Sequence, residues 1–134
     1  MADAGMVKEL IVQCENRPGL LAHVAQLLAE RGINILAVHV EVREDEAVLH
    51  LVTSAHLHAR EALRAAELTP GEREVVGVEL PNRPGFLRKI TDALARQQLD
   101  IHYLYATAAE GASKALVVFS CSHNSKAVLM LRER

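Results

Sequence analysis

The feature that most constrains the fold of this chain is an internal repeat. The tetrapeptide Asn-Arg-Pro-Gly at residues 16–19 recurs at residues 82–85, an offset of 66 residues. The offset persists downstream in four identical pairs: Leu21 and Leu87, Leu28 and Leu94, Ala29 and Ala95, Ile35 and Ile101. A register kept over this distance predicts that the 134-residue chain contains two copies of one structural unit.

Both copies show the same succession of hydrophobic patterns. Each begins with a β-branched strand (residues 7–15 and 75–80), and an apolar stripe at helical spacing follows each Pro-Gly. Two strands come next (33–43 and 47–53; 99–108 and 114–121), and a helix closes each copy (56–67; 123–132). Gly32 is the expected left-handed residue after the first helix, where the second copy has Gln98.

This order predicts an α+β fold of two ferredoxin-like βαββα(β) repeats, with antiparallel sheets and helices on one face. We expect the first domain over residues 5–71 and the second over residues 72–134. The final strand is missing from the second copy, and residues 68–73 alone are available for it in the first. Units of this size have a large surface for their core, so we expect the copies to pack on each other and on a second chain.

Composition excludes several functional classes. Fifteen basic and seventeen acidic residues give a formal charge of −2 without a block of like charge, which argues against a nucleic-acid-binding surface. No apolar run approaches membrane-spanning length, and no secretory signal pattern follows Met1. Cys14 and Cys121 are far apart and indicate neither a disulfide framework nor a zinc site. We expect a soluble cytoplasmic protein.

The repeated loop is the best candidate for chemistry. Asn16 can cap the following helix, Pro18 suits its first turn, and Gly19 lets a ligand approach the backbone. The N–H groups of Gly19, Leu20 and Leu21 would then favour a carboxylate. The alternative is that Asn-Arg-Pro-Gly is only a good strand-to-helix turn.

Residues 15–21 (Glu-Asn-Arg-Pro-Gly-Leu-Leu) and 32–35 (Gly-Ile-Asn-Ile) resemble the ACT domain, a small regulatory amino-acid-binding module. The first copy is especially similar to the serine-sensing regulatory domain of bacterial 3-phosphoglycerate dehydrogenase. Residues 81–87 and 99–101 look like a diverged second copy, and the whole chain resembles stand-alone tandem ACT-domain proteins, which have no catalytic domain.

The resemblance implies where a ligand would bind. Asn16 and Asn34 correspond to the ligand-holding asparagines of the serine-sensing domain, and Cys14 replaces its histidine. Effectors of the family usually sit between the loop of one ACT domain and a strand of its neighbour. The implied ligand-binding residues are Cys14, Asn16, Gly19, Leu20, Leu21 and Asn34, and in a weaker or different second site Asn82, Gly85, Phe86, Leu87 and Asp100.

The seven histidines do not predict a metal site, and no cofactor is expected. His56 and His58 have poor spacing for one helical face, and His39 and His50 are possible cross-strand neighbours but too few for a closed site. An acylphosphatase-like enzyme using Arg17 or Arg83 is an alternative, although each arginine directly precedes proline in a turn.

The sequence therefore predicts a non-catalytic regulatory protein that binds a small amino acid, forms a homodimer and signals to a separate metabolic enzyme. It predicts no nucleic-acid or membrane partner. A protein–protein interaction module without a small ligand is the main alternative.

Overall fold

The computed structural model of the chain describes residues 3–132. Its helices and strands are, in chain order, β1 (Asp3–Glu15), α1 (Leu20–Ala29), β2 (Ile35–Arg43), β3 (Glu46–Thr53), α2 (His56–Ala65), β4 (Gly71–Pro81), α3 (Phe86–Arg96), β5 (Ile101–Thr107), β6 (Lys114–Cys121) and α4 (Asn124–Arg132). The predicted α+β class with antiparallel strands is confirmed.

The described chain divides into two compact units. The first unit comprises residues 8–73, and the second unit comprises the described residues before Lys8 and after Arg73. The long strands β1 and β4 therefore each contribute residues to both units.

Within the first unit the strand order is β2-β3-β1, with antiparallel pairs such as Leu10 with Leu51 and His39 with His50. Alternate residues of β1 and β3 face the helices, as the period of two requires. Their core is completed by the apolar stripes of α1 and α2; it contains Leu10, Val12, Leu49, Leu51, Leu20, Val24, Leu28, Ala59, Ala62 and Leu63. Full burial of one such leucine contributes about 1.5–3 kcal/mol.

The beginning of β4 is tied to α2 within the first unit. The His56 Nε2 atom lies 3.0 Å from the Glu72 Oε2 atom, and the Arg60 Nη1 atom donates to Glu72 Oε1. The Arg60 hydrogen bond, followed by the His56 hydrogen bond, lowers the pKa of Glu72 to about 2. Pro70 precedes this strand, so the Pro-Gly pair lies at its start rather than interrupting it.

Within the second unit β4, β6 and β5 are antiparallel neighbours, and β6 is central among the three. Val117 and Phe119 of β6 pack with residues of β4, α3 and α4; this core also contains Val76, Val78, Leu80, Ile90, Ala93, Leu94, Ala127, Val128 and Leu131.

The first residues of β1 belong to this second core. Ala4 is only 3% exposed and packs in it, and the Arg132 Nε atom donates to the Ala4 carbonyl oxygen at 2.7 Å. Gly77 of β4 lies against Val7, whose Cγ1 atom would be 2.9 Å from a Cβ atom added at Gly77. The sequence pattern predicts β1 only from residue 7, whereas the strand begins at Asp3.

Helices α1 and α3 end in the same backbone conformation, although the residues at that position differ. Gly32 has φ 70°, which confirms the expected left-handed conformation after α1. Gln98, at the equivalent position after α3, adopts φ 56° although it is not glycine. The amides of Ile33 and Leu99 then donate to Leu28 O and Leu94 O, so both chains turn back in the same way.

We expect Gly77→Ala to lower the free energy of unfolding by about 1–3 kcal/mol, because the added methyl group would overpack against Val7. Urea unfolding measures the change. Val7→Ala should relieve part of the cost, so the double variant should be more stable than additivity predicts. Strict additivity of the two substitutions would contradict this packing.

Glu72→Gln should lower the urea midpoint at about pH 7, because it removes the carboxylate that Arg60 and His56 bind. Because the pKa of Glu72 is lowered in the folded state, its carboxylate stabilises the fold at pH values above 4.5, its ordinary pKa. This stabilisation is lost as the pH falls toward about 2. The difference between wild type and Glu72→Gln should therefore shrink between about pH 5 and about pH 3. The control is Glu74→Gln, which should show no such convergence; a pH-independent difference for Glu72→Gln would contradict the ion pair.

Candidate functional site

The two Asn-Arg-Pro-Gly loops adopt the same local structure. Gly19 and Gly85 have φ 83° and 94°, so each requires the left-handed freedom of glycine. The amide of the next residue closes a turn onto the arginine carbonyl, from Leu20 to Arg17 at 3.2 Å and from Phe86 to Arg83 at 3.1 Å. A Cβ atom at either glycine would meet nothing within 4 Å, so the outer side of each turn is open.

The expectation that Asn16 caps α1 with its side chain is wrong. The residue before the helix is Gly19, and no side chain of the described residues caps α1. The left-handed turn places the N-cap position at Gly19, three residues beyond Asn16, so Asn16 is not the residue that caps the helix. The Asn16 amide instead donates to Asp45 O at 2.7 Å and fixes the loop to the β2–β3 turn.

The side chains of Asn16 and Asn82 differ in their engagement. The Asn82 Nδ2 atom donates to Ala109 O at 2.9 Å and to Ala112 O at 3.1 Å, within the β5–β6 connection. The Asn16 side chain has no hydrogen bond to any residue in the described range 3–132. A ligand at the first loop could therefore form hydrogen bonds with both side-chain atoms of Asn16, its Oδ1 and its Nδ2. At the second loop, Asn82 Nδ2 already donates to two carbonyl oxygens.

The helix amides are also less available than the sequence suggests. The Leu20 amide is not free, because it donates to Arg17 O. The amides of Gly19 and Leu21 have no backbone acceptor outside their helix among the described residues. The ligand-facing surface of this turn would thus consist of these two amides and the side chain of Leu21, which is 41% exposed.

Cys14 and Leu80 occupy equivalent places below the two loops. Cys14 is half-buried and packs against the first core, and Leu80 is 4% exposed in the second. Phe86 is partly buried against the second core, and Leu87, like Leu21, is exposed on the first helical turn.

Asn34 lies far from Asn16 within the first unit. Asn34 forms two hydrogen bonds with Ser54, which lies just beyond the end of β3. The Asn34 backbone amide donates to Ser54 Oγ at 2.9 Å, and the Asn34 carbonyl oxygen accepts from the Ser54 backbone amide at 2.9 Å. Asn16 lies beside Asp45, before β3 begins. Because β3 has 8 residues, its length separates the two asparagines by roughly 25 Å.

The second unit repeats this separation. Asp100 exchanges hydrogen bonds with Ser122, its amide donating to Ser122 Oγ at 3.0 Å and its carbonyl accepting at 2.9 Å. Asn82 donates its amide to Ser113 O at 3.0 Å, at the opposite end of β6. No one ligand of amino-acid size can touch both Asn16 and Asn34, or both Asn82 and Asp100, within one unit.

The surroundings of the two loops have opposite charge. A shallow cavity of about 520 Å³ beside the first loop is mainly acidic; its lining is Glu15, Arg43, Glu44, Asp45 and Glu46. The cavities at the second loop are mainly basic; the smaller one, about 140 Å³, is lined by Leu80, Pro81, Arg83, Pro84, Gly85, Phe86 and Lys89. A larger one of about 470 Å³ includes Arg83, Arg88 and Glu110.

The repeat offset could have revealed this difference, because it aligns Lys89 with His23 and Pro81 with Glu15. The anchoring serines were also missed, although Ser54 and Ser122 each follow the third strand of their copy.

The structure shows where the histidines of the predicted strands lie. His39 and His50 are confirmed as cross-strand neighbours, with ring centroids 5.8 Å apart. The His50 Nδ1 atom also lies 3.3 Å from Oε2 of Glu9, a completely buried carboxylate. Within residues 3–132, no three His, Cys, Asp or Glu side chains are arranged to hold a metal ion. None of the described helices has the length and apolarity needed to cross a membrane.

Comparison with known proteins identifies the relatives of this chain. Residues 8–67 match the ACT domain, and this stretch lies within the first unit. Protein BT0572 from Bacteroides thetaiotaomicron is 31% identical, with a TM-score of 0.87 over 97% of this chain and 89% of that one. No curated protein sequence matches the chain.

More distant structures share the fold. The ligand-free regulatory subunit of aspartate kinase from Thermus thermophilus is 18% identical with a TM-score of 0.69, over 98% of this chain and 95% of that one. Aspartokinase III of E. coli, in complex with aspartate and ADP, is 16% identical with a TM-score of 0.61, over 98% of this chain and 32% of that one. The chain therefore contains an ACT domain over residues 8–67 and belongs to the same protein family as BT0572.

Proposed function

We propose that the protein is a non-catalytic regulatory sensor that binds a small amino acid at the loop of residues 16–19. The observation that carries this proposal is the open left-handed turn at Gly19 next to the unengaged Asn16 side chain. The turn offers amide donors to a carboxylate, and the nearby acidic residues suit an ammonium group. ACT domains are regulatory modules, which agrees with this role.

The effector site requires a second ACT domain. Asn34 lies roughly 25 Å from the loop of its own unit, the length of β3. If Asn34 contacts the effector, as the resemblance to the serine-sensing domain implies, it must come from another domain. Serine remains one candidate effector among small amino acids.

The edge strand β2 provides a route to this arrangement. It pairs with β3 on one side only within the first unit, and Val38, Val40 and Val42 are 42%, 40% and 49% exposed on it. An isologous antiparallel contact between two β2 strands would bury these valines and satisfy the open strand edge. We therefore propose a homodimer.

That pairing would also complete the site. With Val40 near the two-fold axis, Val38 lies opposite Val42 of the partner subunit, and Glu41 lies opposite His39 of the partner subunit. The start of each β2 then reaches the end of the other. Asn34 of the partner subunit would approach the β2–β3 turn, to which the Asn16 backbone is bonded through Asp45.

We further propose that the second unit is a diverged ACT domain. Three observations support this: its βαββα order, its left-handed Gly85 turn, and the pairing of Asp100 with Ser122 that parallels Asn34 with Ser54. Its domain limits would follow the two compact units. We place the protein in the cytoplasm and its output on a separate metabolic enzyme, which effector binding would control by changing how domains associate.

The competing function is an interaction module without a small ligand, which the exposed valines of β2 also favour. A ligand test separates the two. At about 100 times its dissociation constant, an effector adds about 2.7 kcal/mol of stability, which raises the melting temperature by several degrees.

We predict that thermal unfolding with each of the twenty amino acids in turn identifies one stabilising ligand or one small group. Asn16→Ala should abolish that stabilisation, because it removes the unengaged amide side chain. The control Gln26→Ala lies on the exposed face of α1 and should retain it. A panel in which no amino acid stabilises the wild-type protein would contradict the sensor and favour the interaction module.

A further inference from the structure

The smaller cavity beside the second loop carries a net positive charge. Its volume is about 140 Å³, and Arg83 and Lys89 are its charged residues. The rest of its lining is apolar side chains and Gly85, with Leu80 and Phe86 as the largest. A cavity of this size accommodates a molecule about as large as benzene.

Both cations are available to a ligand. Neither Arg83 nor Lys89 forms an ion pair or a side-chain hydrogen bond within residues 3–132. Lys89 is held near the loop because its amide donates to Gly85 O at 3.0 Å, one helical turn away. Arg88, which lines the neighbouring larger cavity, is instead engaged by Asp92 at 3.2 Å.

The charged side chains of this cavity favour an anion over an ammonium group. An amino acid is a zwitterion, and its ammonium group needs an acceptor when it leaves water. None of its lining residues within the described range 3–132 carries a carboxylate. Asp100, a residue expected in the second site, lies at the far end of β6, which has 8 residues and so spans roughly 25 Å.

The first loop has different residues at the positions that set the charge of the second loop. The repeat offset places Glu15 where the second copy has Pro81, and His23 where it has Lys89. The cavity beside the first loop is lined by four carboxylates and Arg43. The smaller cavity at the second loop has two cations and apolar walls, and Glu110 lines only the larger cavity next to it. The two loops share the same backbone turn, and the cavities beside them differ in the charge of their lining.

We propose that the cavity beside residues 83–86 binds a small apolar carboxylic acid that lacks an ammonium group, of the 2-oxo or 2-hydroxy acid class. Arg83 and Lys89 bind its carboxylate and its neighbouring oxygen, and Leu80 and Phe86 contact its hydrocarbon part. This inference does not depend on amino-acid binding at the first loop. Together, the two loops would let one chain respond to an amino acid and to its deaminated counterpart.

The test uses matched pairs that differ only at the α position: pyruvate with alanine, and 2-oxoisovalerate with valine. Isothermal titration is carried out with the full-length Asn16→Ala protein, so that the first loop does not contribute. We expect one oxo acid to bind at least about tenfold more tightly than its amino acid. Arg83→Gln and Lys89→Gln should each weaken that binding, and the control Lys126→Gln, on α4, should not.

A double variant that exchanges residues between the two loops tests the proposal even if the single substitutions have small effects. Pro81→Glu with Lys89→His gives the second loop the charges of the first and should shift its preference toward the amino acid. Circular dichroism confirms folding of each variant. Equal affinity for the two members of each pair, no binding of either oxo acid, or binding unchanged by Arg83→Gln and Lys89→Gln would overturn the proposal. If no amino acid stabilises the wild-type protein in thermal unfolding, the proposed sensor function is overturned, but the proposal for the second loop is not.

Discussion

The antiparallel pairing of β3 with both β1 and β2 is the constraint on which the first unit depends. It directs Leu49 and Leu51 toward α1 and α2, and so creates the core that holds the helices. It also fixes the two ends of the unit, with Asn16 at the β2–β3 turn and Asn34 beside Ser54. Because a strand is rigid and extended, the separation of these asparagines follows directly from its length.

Much of this architecture could be predicted from the repeat. The Pro-Gly loops, the apolar stripes and the left-handed Gly32 have strong local signals, and the structure contains the corresponding elements. The first residues of β1 could not be predicted, because Ala4 and Gly5 carry no strand periodicity and are ordered by contacts with distant residues such as Arg132. The left-handed conformation of Gln98 could not be predicted, because residues other than glycine rarely adopt it.

The local structure of the candidate site could be predicted only in part, and its role in ligand binding stays a prediction. The loop was found because it occurs twice. The capping role of Asn16 was wrong because a left-handed glycine displaced the start of the helix. Sequence spacing gave no indication that Asn34 lies at the opposite end of β3, since residues close in sequence can lie a strand length apart. The opposite charges around the two loops depend on which side chains line each cavity, which only the fold determines.

We propose that one effector site contains Asn16 of one chain and Asn34 of another. The most direct measurement is complementation between Asn16→Ala and Asn34→Ala, each prepared alone and then mixed under conditions that exchange subunits, with binding of the identified amino acid titrated. Each variant alone should lose binding, and the mixture should regain about a quarter of the wild-type sites, because half of the dimers are mixed and each contains one intact site. Normal binding by Asn34→Ala alone, or no recovery in the mixture, would contradict the shared site.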